Sequence, residues 1–182
     1  MVKEGCKINI LHVLGTLKVG GIQNYLLNLV TSPKLNKYNH QLLCTISNDG
    51  ELKTKYEEKG IKINFLPFTI SRKSYLPFRV DKLIRRFYLK FYFFRFWYFQ
   101  LKSKTDIIHL HISGLIISQI IASIISRKKI IWTIHGEYKL SKMTLLFLRI
   151  IEGVIPSRIF IITADSIAAF NSTLYIGKFE KN

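Results

Sequence analysis

His12, His109, His111 and His135 each stand at or near the end of a short apolar, β-rich run. An imidazole changes charge near neutral pH, ligates metals and serves as acid or base, so these side chains are weighed first. His109 and His111 are two apart, and on a strand they point to one face. An HxH pair is only part of a zinc site, which needs a third and usually a fourth ligand. No Cys or carboxylate stands at a matching spacing, so no metal is expected. His12 and His109 read as satisfied buried side chains. His135 differs, because it follows KKIIWTI and precedes Gly136 and Glu137, where a strand opens into a loop. A histidine there can bond a phosphate or sugar hydroxyl, or move a proton. No Ser-His-Asp or Cys-His arrangement is legible. Asp106 and Asp165 open elements and read as caps.

The second candidate is the glycine pair in ILHVLGTLKVGGIQNYLLNLV, which reads as strand, loop and amphipathic helix beginning near Gly21. A helix N-terminus presents free N–H groups and a positive dipole end, which suits a phosphate. Gly20 and Gly21 would let a ligand approach the backbone with no Cβ in the way. The alternative is that the pair only makes a tight turn, and spacing leaves both readings open. The string is neither GxGxxG nor a P-loop, which disfavours a dinucleotide cofactor.

The elements that must position these residues alternate. Strands are expected at 7–13, 40–46, 61–66, 106–111, 129–134 and 158–163, and helices at 21–31, 51–59, 79–102, 114–126, 141–153 and 165–175. Several strands are nearly continuous apolar runs, as when both faces of a parallel sheet are covered. The expectation is one α/β domain over residues 1–182 with a doubly wound, mostly parallel, Rossmann-like sheet. No internal repeat or second domain is legible.

Composition narrows the partners. Over 182 residues, 28 Lys and Arg against 11 Asp and Glu leave a net charge of +17, and 48% of residues are hydrophobic. That is a folded chain with an anionic partner: nucleic acid, a phosphorylated metabolite or a membrane surface. Cys6 and Cys44 are far apart, which argues against a disulfide framework and a CxxC metal site and fits a reducing cytosol. A membrane span needs about 20 apolar residues, and the run from Ile112 to Ile125 falls short.

The segment at about 79–102 is basic and aromatic. Between Phe87 and Phe99, ten of thirteen residues are aromatic, more apolar surface than one core contact requires. Arg79, Lys82, Arg85, Arg86 and Lys90 fall on one side of the helix, and Leu83, Phe87, Phe91, Phe94 and Tyr98 on the other. Arg85, Arg86, Lys90, Arg95 and Trp97 are the candidates for docking on an anionic membrane. Burial in the domain or against a neighbour is the second reading. Stacking of nucleic-acid bases is the third and weakest, since no RNA- or DNA-binding motif accompanies it.

Four segments resemble the family 4 glycosyltransferases. KINILHVLGTLKVGGIQNYLLNLV is similar to their first βα unit, DIIHLHISG to their fourth-strand segment, KKIIWTIHGEY to the next strand and loop, and RIFIITADSIAAF to the last strand of the N-terminal domain. The segments come in family order and cover nearly the whole chain. The resemblance implies the N-terminal, acceptor-binding half of a GT-B fold. It implies sugar transfer from a nucleotide-sugar to a hydroxyl, with retention at the anomeric carbon and no metal or other cofactor. Gly20 and Gly21, with Gln23 beside them, match the pair that approaches the donor phosphates or the acceptor. His135, with Gly136 and Glu137, matches the reaction centre, and His109 and His111 match a structural or acceptor-side motif. The family's donor-binding C-terminal domain is missing from these residues, so activity is expected only with such a half. Many relatives work at the inner membrane face on lipid-linked acceptors. A cytoplasmic, peripheral membrane location and a cell-envelope or polysaccharide acceptor follow as expectations. A non-catalytic membrane-surface module is the alternative, and nucleic-acid binding, though not expected, the weaker one.

Overall fold

Strand β1 (Ile8–Leu14) is buried over its last five residues, which places it in the middle of a sheet. A computed structural model describes residues 7–47, 49–67, 78–111, 116–134, 146, 147, 150 and 159–163; for 78–86, 89, 116, 134 and 159–163 it describes the backbone. The strands β2 (Tyr38–Cys44), β3 (Lys62–Phe65), β4 (Ile107–Leu110), β5 (Lys129–Ile134) and β6 (Ile159–Thr163) join β1 in one sheet of order β3-β2-β1-β4-β5-β6. Every pairing is parallel. Helices α1 (Gly21–Val30), α2 (Lys53–Glu58), α3 (Phe78–Lys102) and α4 (Ile116–Ile125) cross between strands. The expected doubly wound α/β sheet is therefore present. Strand order reverses between β1 and β4, and a sheet of this kind opens a ligand crevice at that reversal, beyond the carboxyl ends of its strands.

Alternation along the central strands makes two cores. Leu11 and Val13 face one way with Leu43, Ile108, Leu110, Ile130 and Trp132, and meet Tyr92 and Phe96 of α3 and Ile120 and Ala122 of α4. Leu14 faces the other way with Leu42 and Cys44, under Leu26 and Val30 of α1 and Tyr56 of α2. Each fully buried large apolar side chain contributes about 1.5–3 kcal/mol by leaving water. Helices α3 and α4 are also tied by buried polar contacts. Gln119 Nε2 donates to the Tyr92 hydroxyl at 3.2 Å, and Gln100 Nε2 to Ser123 Oγ at 3.0 Å.

Expected boundaries hold to within about two residues. The second strand starts earlier than expected, at Tyr38, because Tyr38 and Asn39 pair with Ile8 and Asn9. The helix expected at 141–153 lies mostly outside the described residues, with Leu146, Phe147 and Ile150 helical, and that at 165–175 lies wholly outside them. Among the described residues no helix is long and apolar enough to cross a membrane.

The face of α3 that meets the core is set by its neighbours. Tyr92 and Phe96 are buried, and Phe93, Trp97 and Phe99 pack at their side. Phe87, Phe91, Phe94, Tyr98 and Leu101, at steps of four and three, are each more than half exposed. A helix aromatic all round gives no moment from which to read the inner face, and the neighbouring strands and α4 decide it.

Candidate functional site

The β1–α1 loop lies at the point where strand order reverses. Gly20 is extended and serves as N-cap of α1, with no side-chain cap and no acidic residue in the first turn. The first helical bond runs from Asn24 N–H to the Gly20 carbonyl at 3.0 Å, so the N–H groups of Gly21, Ile22 and Gln23 precede the intrahelical ladder. A Cβ on Gly21 would meet nothing within 4 Å, whereas one on Gly20 would lie 2.6 Å from Gln23 Oε1. Gly21 thus faces open space, while a side chain at Gly20 would displace the end of Gln23. The Gln23 amide donates through Nε2 to the Thr16 carbonyl at 3.2 Å. In this arrangement Gln23 braces the loop from inside.

A second loop holds the first. Val19 N–H donates to Glu51 Oε2 at 3.1 Å, and Leu52 N–H to the Leu17 carbonyl at 3.2 Å. The hydrogen bonds from its own and the Val19 backbone N–H, helped by nearby Lys18, hold the Glu51 carboxyl below its usual range. Gly50 has φ +155, and a Cβ there would fall 2.3–2.4 Å from backbone atoms of Leu17 and Lys18. The Tyr56 hydroxyl donates to the Gln23 carbonyl at 2.8 Å, fastening α2 to the first turn of α1. None of these braces was legible in the sequence, because they join segments about 30 residues apart.

Below the loop the strands gather four imidazoles. His12 and His109 are register partners on β1 and β4, and His111 follows two residues on. His12 Nδ1 lies 3.2 Å from His111 Nε2, and His12 Nε2 lies 3.0 Å from His40 Nδ1. His109 Nε2 meets Thr133 Oγ1 at 2.7 Å. The His109 and His111 rings are 3.9 Å apart between centroids. All four side chains are buried. Burial, with His109 and His40 beside it, keeps the His12 pKa well below the ordinary imidazole value. Burial also lowers that of His40, opposed by the Leu35 carbonyl. His12 and His109 are the satisfied buried histidines that the sequence suggested. The pairing of β1 with β4 adds what spacing could not, a third imidazole beside the HxH pair. His40 was not singled out by the sequence, although it opens an apolar strand run as His12 closes one.

His135, Gly136 and Glu137 lie outside the described residues, next to the end of β5 at Ile134. Among the docking candidates, Lys90 is exposed, and Arg95 sits with its guanidinium 5.7 Å from the Phe91 ring centroid. Lys102 Nζ lies 4.8 Å over the Tyr98 ring. Arg85 and Arg86 belong to α3, and their side chains are outside the described set. Trp97 is half-buried against the core, with Nε1 buried and lacking a hydrogen-bond partner. It is thus a packing residue rather than a member of the exposed stripe. Asp106 has the structural role expected of it: its Oδ2 accepts from the Asn9 backbone N–H at 2.8 Å and from Asn9 Nδ2 at 3.3 Å. The Cys44 thiol is free and buried, and burial pushes its pKa up to about 12.

Comparison with known proteins follows the same lines. No protein-family model and no curated protein matches the sequence. Solved structures do match in fold. Anabaena Alr3699/HepE in complex with UDP-glucose aligns at a TM-score of 0.55 and 17% identity, over 93% of this chain and 41% of that one. The same protein with UDP and glucose aligns at 0.54 and 18%, with the same coverage. A glycosyltransferase from Rickettsia africae ESF-5 aligns at 0.49, 16% identity, 86% and 43% coverage, too weakly to add to the fold argument. The chain spans about two fifths of the length of the Anabaena structures it matches, and it has their Rossmann-like α/β fold over that part.

Proposed function

We propose that these residues form the acceptor-side half of a retaining glycosyltransferase of the GT-B type, akin to family 4, that uses a nucleotide-sugar donor. The observation that carries the reading is the uncapped N-terminus of α1, held at the strand-order reversal with Gly21 facing open space. Three backbone N–H groups and a positive dipole end, with no carboxylate in the first turn, form a receptor for a phosphate or a sugar hydroxyl. The fold likeness to a protein solved with UDP-glucose and with UDP and glucose supports the donor class, and the four sequence segments support the family. In this reading a donor-binding half completes the site, and His135, just past β5, acts on the transferred sugar together with Gly136 and Glu137. The acceptor is a cell-envelope or polysaccharide hydroxyl.

The exposed stripe of Phe87, Phe91, Phe94, Tyr98 and Leu101, flanked by Lys90, Arg95 and Lys102, supports docking on the anionic inner face of the membrane. Aromatic rings at the headgroup level and cations above them are the chemistry of an interfacial helix. The same stripe favours a second reading, a membrane-surface module without catalysis.

One experiment separates the two. The protein, combined with a C-terminal donor-binding half, is assayed for sugar transfer from UDP- and GDP-sugars, and the product anomer is read by NMR. Transfer with retention, reduced more than tenfold by His135→Ala, is expected, since positioned polar groups commonly supply that much. Liposome binding without transfer from any donor would favour the non-catalytic module.

A further inference from the structure

We propose that His12, His109 and His111 form a site for one first-row transition-metal ion, Zn2+ above all, beneath the reversal point of the sheet. A ligand nitrogen of each lies within 4.8 Å of those of the other two. Two imidazole nitrogens bound at 2.0–2.1 Å to a common tetrahedral ion stand about 3.3 Å apart. His12 Nδ1 and His111 Nε2 already stand near that separation, 3.2 Å apart, and ring rotations would turn all three nitrogens, which lie within 4.8 Å of one another, onto one ion. The rings are also aimed from outside. His40 Nδ1 meets the far nitrogen of His12, and Thr133 Oγ1 meets His109 Nε2. Such outer partners fix ring orientation and tautomer in metal sites.

With His12 carrying its proton on Nε2 and donating to His40 Nδ1, its Nδ1 lone pair faces His111. Ligation through His111 Nε2 places the proton of the neutral ring on Nδ1. Three neutral ligands leave the ion its full charge, which burial penalises. A water would fill the fourth position, and its ionisation to hydroxide would release one proton to solvent. The ion would pin β1 to β4 under the β1–α1 loop. This role stands apart from sugar transfer, and the family resemblance implies no metal.

The protein is purified without metal-affinity resin, stripped with EDTA, titrated with Co2+ or Zn2+, and then freed of excess ion by gel filtration. One ion per chain by elemental analysis is expected, with visible d–d bands of four- or five-coordinate Co2+ that Zn2+ abolishes. His12→Gln and His111→Gln are each expected to weaken binding at least tenfold while far-UV circular dichroism stays unchanged, and His40→Gln to weaken it less. Should those variants fail to fold, the Co2+ spectrum of the unaltered protein still decides. Absence of the bands, fewer than about one ion per ten chains, or equal binding by folded His12→Gln and His111→Gln overturns the site and leaves only a chain of hydrogen-bonded imidazoles. Loss of transferase activity has no bearing on this outcome.

Discussion

His12 is buried beside His109 and His40, and this makes protonation costly. In the unfolded chain it titrates near pH 6.5, while in the fold burial and its histidine neighbours hold its pKa well below that; His40 is shifted the same way. Between those values the unfolded state binds more protons, so stability rises with pH there. It is fully present above about pH 6.5 and is lost as pH falls toward the folded pKa values, at up to about 1.4 kcal/mol per pH unit for each proton taken up. Urea midpoints in EDTA between pH 7.5 and 5.5 are expected to fall accordingly, and His40→Gln to flatten the slope. A flat profile for the unaltered protein would remove the buried neutral histidines from the account. Gly50 makes the second prediction at this scale. Its φ of +155 and the backbone of Leu17 under its absent side chain mean that Gly50→Ala should cost at least about 1–3 kcal/mol. Because the 50–52 segment holds Val19 and Leu17, the variant should also loosen the β1–α1 loop, measured as faster amide exchange at Val19.

Helix α3 shows how one element serves two solvents. Its inner face carries Tyr92 and Phe96, stacked with centroids 6.0 Å apart, and burial lifts the Tyr92 pKa to about 12. Phe96→Ala, which empties a fully buried site, is expected to cost about 3–5 kcal/mol in urea unfolding. Phe94→Ser, two residues away on the exposed face, should stay within about 0.5 kcal/mol yet lower binding to anionic liposomes, as measured by sedimentation. The reverse pattern would mean that the faces are assigned the wrong way round. The ten aromatics in thirteen residues made the helix easy to recognise and its orientation impossible to read, because every face was apolar enough to be the inner one.

At the scale of the whole molecule, +17 is a long-range property that salt screens. Vesicle binding through α3 should therefore weaken steeply between 0.05 and 0.5 M salt, as the Debye length shrinks from about 10 Å at 0.1 M toward 3 Å at 1 M. Salt-independent binding would point to the aromatic stripe alone. The fold itself accounts for about two fifths of the length of the Anabaena structures it matches.

The alternation of apolar runs with helical periods was enough to define the six strands and the four helices α1 to α4 between them, because buried parallel strands must be apolar on both faces. The glycine pair at the start of α1 was legible for a similar local reason: the N–H groups of a first turn need no distant partner to be exposed. What tertiary structure alone decided was which distant residues meet. The reversal of strand order puts β1 beside β4, and so His12 beside His109 and His111, 97 and 99 residues on. Pairing with β2 brings His40 to the same ring, and the approach of residues 50–52 gives the first loop its braces. Those contacts depend on register and crossover, which no spacing along the chain encodes.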